Sequence, residues 1–210
     1  MSTQKKVSPA KRSVAVSPKE EMTLVIIKPD GVKRGLIGEI INRIERRGLK
    51  IVGLQMFQAN KKDFDKHYAN DKEYLTSIGN KTLSTYAEYG YDAMKELGTK
   101  DPLVIGKMVR EWLLDFMTSG PVVKIAVQGV HAPAMVRKIV GSTMPSAAEM
   151  GTIRGDFSVD SAAAANRGKR AVHNLIHASG NPQEAKFELG LWFNKKELFL
   201  YSRAEEDIMF

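Results

Sequence analysis

The sequence predicts an α+β sandwich, a small sheet carrying helices on one or both faces. Short apolar runs of strand length alternate with segments whose apolar residues fall at helical spacing. Two of the runs are separated by one short helix and others by long connections, a pattern that favours a sandwich over regular winding. No internal repeat and no linker divides residues 21–210, so they are expected to form one domain.

Met22 to Lys28 is a short apolar run closed by Pro29-Asp30-Gly31, which reads as a buried strand followed by a turn. Ile37, Ile40, Ile41 and Ile44 then fall at helical spacing, and Gly48 follows Arg46 and Arg47 as a C-terminal cap. Leu49 to Phe57 returns as a second strand. Ile105, Met108, Val109, Trp112, Leu113 and Phe116 predict an amphipathic helix that ends at Ser119-Gly120-Pro121, with Val122 to Val127 as the next strand. Pro133 to Val140 predicts a shorter helix with Met135, Val136, Ile139 and Val140 inward. Asn181-Pro182-Gln183-Glu184 has the residues of a helix start, with Ala185, Leu189 and Trp192 as the buried stripe behind it.

The chain has 210 residues, 43% hydrophobic and 27% charged, the balance of an ordinary protein with a sizeable core. Without cysteine it has no disulfide scaffold, thiolate zinc site or cysteine nucleophile. No apolar run approaches the roughly 20 residues of a spanning helix, so no membrane role and a cytoplasmic location are expected. The net charge of +8 points to an anionic partner. Lys5, Lys6, Lys11, Arg12 and Lys19 against Glu20 put half of that charge in residues 1–20, which lack Leu, Ile and aromatics. This stretch is expected to be a disordered basic arm, a solubilising tail or a contact for nucleic acid. It has no apolar core of a secretory leader, although its basic, nearly acid-free composition also meets the description of a transit peptide.

The familiar phosphate motifs are missing. Gly106-Lys107 is followed by Met108 where a Walker loop needs Ser or Thr, and no dinucleotide fingerprint follows the first strand. His173 and His177 have the spacing of a zinc-protease pair, but Asn174 replaces the glutamate that would act as base. Phosphates would therefore be held by side chains. Lys28 ends a buried strand, where its ammonium would emerge at a sheet edge. Gly151 and Gly155 bracket Arg154, whose planar fork suits phosphate oxygens, and Arg137 and Thr143 lie just upstream.

Taken in order, Lys28-Pro29-Asp30-Gly31-Val32, His67-Tyr68, Ser119-Gly120-Pro121-Val122, Arg137, Thr143, Gly151 to Phe157, Asn174-x-x-His177 and Glu188 resemble the nucleoside diphosphate kinase family over about residues 22–193. The resemblance implies a ferredoxin-like fold, a four-stranded antiparallel sheet with helices, assembled as hexamers or tetramers with the hexamer favoured. It implies transfer of the γ-phosphate of ATP or another triphosphate to nucleoside diphosphates by a ping-pong route. His177 would carry the phosphate as phosphohistidine, Glu188 would orient it, and Ser179 would stand beside it. Lys28, Tyr68, Arg137, Thr143, Arg154 and Asn174 match nucleotide-binding positions. Magnesium, Mg2+, would be held through the nucleotide phosphates rather than by a protein metal site.

Elementary chemistry agrees with those roles. Phosphoryl transfer asks a protein mainly for positioning and charge stabilisation. An imidazole, with a reference pKa of about 6.5, is largely neutral and nucleophilic near pH 7. A carboxylate on its far nitrogen would fix the tautomer, although Glu188 taken alone reads equally well as a solvated helix residue. The chain also departs from the family pattern: Ala178 and Ser179-Gly180-Asn181 follow the histidine, Met150 precedes Gly151, and His173 precedes Asn174. Residues 75–104 and 158–170 are longer than the family carries, which leaves Tyr74 as the candidate base platform. The rival reading is a nucleotide- or nucleic-acid-binding regulator that keeps the fold without the activity.

Overall fold

The computed structural model describes residues 21–209, so the expected basic arm and the terminal Phe210 lie outside the described residues. Four strands form one antiparallel sheet: β1 (Met22–Ile27), β2 (Lys50–Phe57), β3 (Val122–Gln128) and β4 (Ile176–Ala178). Their order is β2-β3-β1-β4, the ferredoxin-like arrangement. β1 is buried from Thr23 to Ile27 because helices cover both faces of the sheet; hence its continuous apolar run rather than an alternating one. One face packs on α2 (Ile37–Arg46) and α7 (Ala132–Val140), through Val25, Ile27, Ile40, Ile44, Val136 and Val140. The other packs on α3 (Lys61–His67), α6 (Pro102–Thr118) and α10 (Pro182–Trp192), through Leu24, Ile26, Phe64, Leu114, Met117 and Trp192.

The predicted elements sit where expected, with local corrections. Pro29-Asp30-Gly31 is the start of a one-turn helix, α1 (Pro29–Lys33), rather than a bare turn; proline at its first position costs no hydrogen bond. Gly48 takes φ +88°, the left-handed cap expected after α2. α6 starts three residues before Ile105, at Pro102, and is capped by Asp101, whose carboxylate accepts from the amides of Leu103 and Val104. Its buried line is Ile105, Gly106, Arg110, Leu114 and Met117. Of the predicted stripe only Ile105 belongs to it, because α6 has neighbours on two sides.

The second neighbour is α4 (Lys72–Glu88), which runs with α5 (Ala93–Leu97) through the first long segment. Leu83, Tyr86, Tyr91, Leu97, Met108 and Trp112 form a satellite core there. α4 and α6 touch backbone to backbone at two glycines. A Cβ on Gly79 would lie 1.8 Å from the carbonyl oxygen of Pro102, and one on Gly106 would lie 1.9 Å from that of Leu75. The second long segment carries α8 (Ile153–Phe157) at its approach and α9 (Ala162–Arg167) within it. α9 joins the first segment: the Tyr86 hydroxyl donates to the Asn166 carbonyl at 3.4 Å, and the Arg167 guanidinium lies over the Tyr91 ring.

No helix among the described residues is long and apolar enough to cross a membrane. Gly106→Ala is expected to force α4 and α6 apart and to destabilise the chain by about 2–3 kcal/mol, the cost of overpacking a close contact. A urea unfolding curve of the variant against the parent checks this.

Candidate functional site

His177 sits in the middle of β4 opposite Ile26 of β1, so the sheet itself fixes its backbone. Its ring Nε2 lies 3.1 Å from Oε2 of Glu188, on the first turns of α10 that fold back over β1. Asn181 caps that helix by accepting from the Glu184 amide at 2.8 Å, as the sequence predicts. The same Oε2 accepts the Ser179 hydroxyl at 2.6 Å. Ser179 is fully buried, so it stands behind the carboxylate and acts on His177 only through it. With Nε2 engaged, Nδ1 is the free nitrogen. Burial raises the proton affinity of Glu188, but the hydrogen bond and charge of His177, then His67 and Ser179, hold the carboxyl below its ordinary range.

The residues before β4 are bound to the start of α1. Leu175 has φ +70°, a left-handed conformation unfavourable for a bulky side chain. Its amide donates to Oδ2 of Asp30 at 3.0 Å and its carbonyl accepts the Lys28 amide at 2.9 Å. A Cβ on Gly31 would meet that carbonyl oxygen at 2.8 Å, so glycine permits the approach.

Lys28 follows β1 directly and is buried; its Nζ donates to Oδ1 of Asn174 at 2.7 Å. Nδ2 of Asn174 donates to the Thr143 carbonyl at 2.9 Å. Burial, then the neighbouring Arg154 charge, lower the Lys28 ammonium to about 8 against the opposing pull of Asp30. Arg154 is also buried. Its guanidinium donates to four carbonyls: Nε to Asn174 at 3.1 Å, Nη1 to Gly141 and Ser142 at 3.0 and 3.1 Å, and Nη2 to Ile176 at 2.6 Å. Of five N–H groups one is left over. The sequence suggested a phosphate ligand; the structure makes Arg154 first a clamp on the backbone that carries Asn174 and His177.

A cleft of about 340 Å3 opens above these groups. Lys28, Tyr68, Arg137, Thr143, Arg154, Asn174 and His177 all line it, so every sequence-predicted binding residue and the histidine share one cavity, with Glu188 and Ser179 behind. Tyr68 presents a buried hydroxyl without a partner among the described residues; burial pushes its proton affinity well above the usual phenol value. Tyr74, the candidate platform, lines the cleft from α4 with Val109 and Leu113 of α6 and Ala171 and Val172 opposite in the chain. Reasoning from sequence missed these aliphatic residues and also His67 and Trp192. The strongest available signal was Trp192 in the predicted buried stripe.

Among the described residues one trio of candidate metal ligands occurs, His67, His177 and Glu188, with atoms within 4.8 Å of one another. Two of its atoms are engaged otherwise: His67 Nδ1 accepts from the Trp192 indole at 3.1 Å, and Glu188 Oε2 accepts from Ser179 at 2.6 Å.

Residues 21–80 and 105–198 match the family model described as nucleoside diphosphate kinase, with the break inside the first long segment. A nucleoside diphosphate kinase of Pyrobaculum aerophilum is 46% identical over 178 residues, which span 85% of this chain and 97% of the relative. The crystal structure of an NDP kinase from the same organism superposes with a TM-score of 0.83 at 44% identity, over 86% of this chain and all of the other. A Borrelia burgdorferi nucleoside-diphosphate kinase, a transition-state mimic with bound vanadate and ADP, superposes with a TM-score of 0.71 at 34% identity, over 90% and 96%.

Lys28 is charged below its lowered pKa and neutral above it. The affinity of the cleft for inorganic pyrophosphate should therefore fall roughly tenfold as pH rises through about 8, and Lys28→Met should flatten that dependence. Calorimetric titration between pH 6.5 and 9.5 checks both.

Proposed function

Because the chain belongs to the nucleoside diphosphate kinase family, we propose that His177 is its phosphate carrier and that the surrounding cations hold the nucleotide. The observation that supports this reading is the bond between His177 Nε2 and Glu188, which leaves Nδ1 free in a cleft lined by Lys28, Arg137 and Arg154. In the first half-reaction the Nδ1 lone pair attacks the γ-phosphorus of ATP or another triphosphate. A P–N bond forms, the bond to the bridging oxygen breaks, and the diphosphate leaves. The proton on Nε2 stays there, facing Glu188, whose charge stabilises the phosphoimidazolium. An oxygen of the incoming diphosphate's terminal phosphate then attacks the same phosphorus and the P–N bond breaks.

The cations act as fixed partners for the equatorial oxygens of the transferring group. The Tyr68 hydroxyl, unpartnered without ligand, is a further donor. Thr143 and Asn174 complete the contacts to phosphate and sugar. The nearby carboxylates are engaged with the chain: Asp30 accepts from Gly31 and Leu175, and Glu184 accepts from Gly180 and Asn181. This donor set suits Mg2+ that arrives on the nucleotide rather than one held by protein ligands. The ion, when bound, neutralises phosphate charge.

Self-association, with the hexamer favoured, is supported by the outer edge of the sheet. Leu54 and Met56 of edge strand β2 are about half exposed, and Phe199 and Leu200, held beside β2 where the Phe199 amide donates to the Val52 carbonyl, are 68% and 74% exposed; exposed apolar surface favours pairing. The basic arm is proposed as a separate contact for nucleic acid, and the cytoplasm as the location.

Incubation with ATP and Mg2+ should leave one acid-labile, base-stable phosphate on the chain, located at position 177 by mass spectrometry. His177→Ala should carry none and show no turnover; a normally active variant would refute the assignment. Replacing both Leu54 and Met56 with glutamate should lower the assembly's mass in light scattering.

A further inference from the structure

His67 closes α3 with a side chain of zero exposure. Its ring stands edge-on to His177, centroids 4.5 Å apart at 79°. Nδ1 accepts the Trp192 indole N–H at 3.1 Å and lies 3.6 Å from Oε1 of Glu188. Nε2 is buried without a partner among the described residues. A phenylalanine could fill the same space without leaving a polar atom desolvated, so packing alone is a poor reason for an imidazole here.

The indole nitrogen can only donate. Accepting from it, Nδ1 carries no proton, and the proton of the neutral ring is on Nε2. We propose that Trp192 locks His67 in this tautomer and so reserves the Glu188 carboxylate for His177, which makes His67 and Trp192 positioning residues of phosphoryl transfer. A proton on Nδ1 would give Oε1 a second imidazole donor and draw the carboxylate off the carrier. The titratable groups facing His67 are His177 from β4, Glu188 from α10, Lys28 after β1, and Tyr68 beside it. Burial first, then the charges of His177 and Lys28, lower its imidazole to about 3 despite Glu188, in keeping with a ring that stays neutral. Trp192 is itself fixed, because its carbonyl accepts Nζ of Lys124 at 2.5 Å.

The inference rests on the reading of His177 as carrier, and Trp192→Phe separates the two. Without the indole, Nδ1 regains an open lone pair beside Oε1 and its proton affinity rises. Below the new value His67 becomes charged and competes for Glu188, so the acid limb of the kcat profile should move up by about one pH unit, roughly a tenfold further loss on that side, with KM unchanged. The double variant Trp192→Phe with His67→Gln, which cannot titrate there, should bring the limb back. A loss equal at all pH values, or a double variant that keeps the shifted limb, overturns the proposal. A second measurement needs no variant: nitrogen-15 histidine spectra of the whole protein from pH 5 to 8 should show His67 Nδ1 unprotonated throughout. An Nδ1–H form or a titration in that range overturns it as well. Absence of phosphate on His177 in the parent protein would instead refute the carrier reading.

Discussion

An imidazole proposed to carry phosphate needs one nitrogen held and the other free, and here the holding bond joins two successive elements of the chain, β4 and α10. His177 is fixed by β4 against β1, and Glu188 by a helix that starts beyond the strand and returns over the sheet. The rest of the site serves that bond. Ser179 steadies the carboxylate from behind, Asn181 and Glu184 cap the helix that bears it, and the Trp192–His67 contact closes its other side. A carboxylate this buried is costly unless its lone pairs are occupied, and Glu188 has two donors within 3.1 Å on one oxygen. Shift α10 by an ångström and both the cost and the tautomer control change together.

The opposite wall works through charge held under constraint. Lys28 and Arg154 are both buried cations: burial, then the Arg154 charge, lower Lys28 to about 8, and burial lowers Arg154 to about 10. Arg154 is also pulled down by Arg137, after burial itself. On the proposed reading, phosphate oxygens entering the cleft would offset the cost of burying these charges. Leu175 adds backbone strain of about 1–3 kcal/mol at the turn into β4. Asp30 and the Lys28 amide compensate by binding its amide and carbonyl. The short helix α1 thus positions Lys28 and the strand of His177 at once.

This explains which parts were legible in the sequence. The strands and α2, α7 and α10 follow from local signals, apolar runs and caps, that tertiary packing here reinforces. The site residues were legible as an ordered set of polar residues, and the cleft brings them together. The orientation of α6 was not, since Gly106 faces inward because α4 lies against it and Arg110 because its guanidinium donates to the carbonyls of Asp65, Tyr68 and Ala69 at the end of α3. Arg154 shows the same limit. Its residue type indicates a planar donor, but whether the acceptor is a phosphate or a carbonyl depends on where Gly141, Ser142 and Ile176 lie in space. His67 was read only as the neighbour of Tyr68, and nothing local distinguishes a packed imidazole from one whose tautomer matters.

The two long segments add a layer without entering the sheet. α4 and α9 pack on each other through Tyr86 and Asn166, and glycines 79 and 106 let α4 approach α6 without altering the face that α6 turns to β1 and β3. Among the described residues neither segment lines the cleft itself; its apolar wall is Tyr74, Val109, Leu113, Met144, Ala171 and Val172, which flank them in the chain or in space. Such a wall offers area to the face of a base but, apart from the Tyr74 hydroxyl, little to its hydrogen-bonding edge. Discrimination between bases needs polar groups that the wrong base leaves unpaired. On the proposed reading, binding energy then comes from phosphate and sugar, which all nucleotides share, and broad acceptance of bases follows from the chemistry of the wall rather than from looseness of fit.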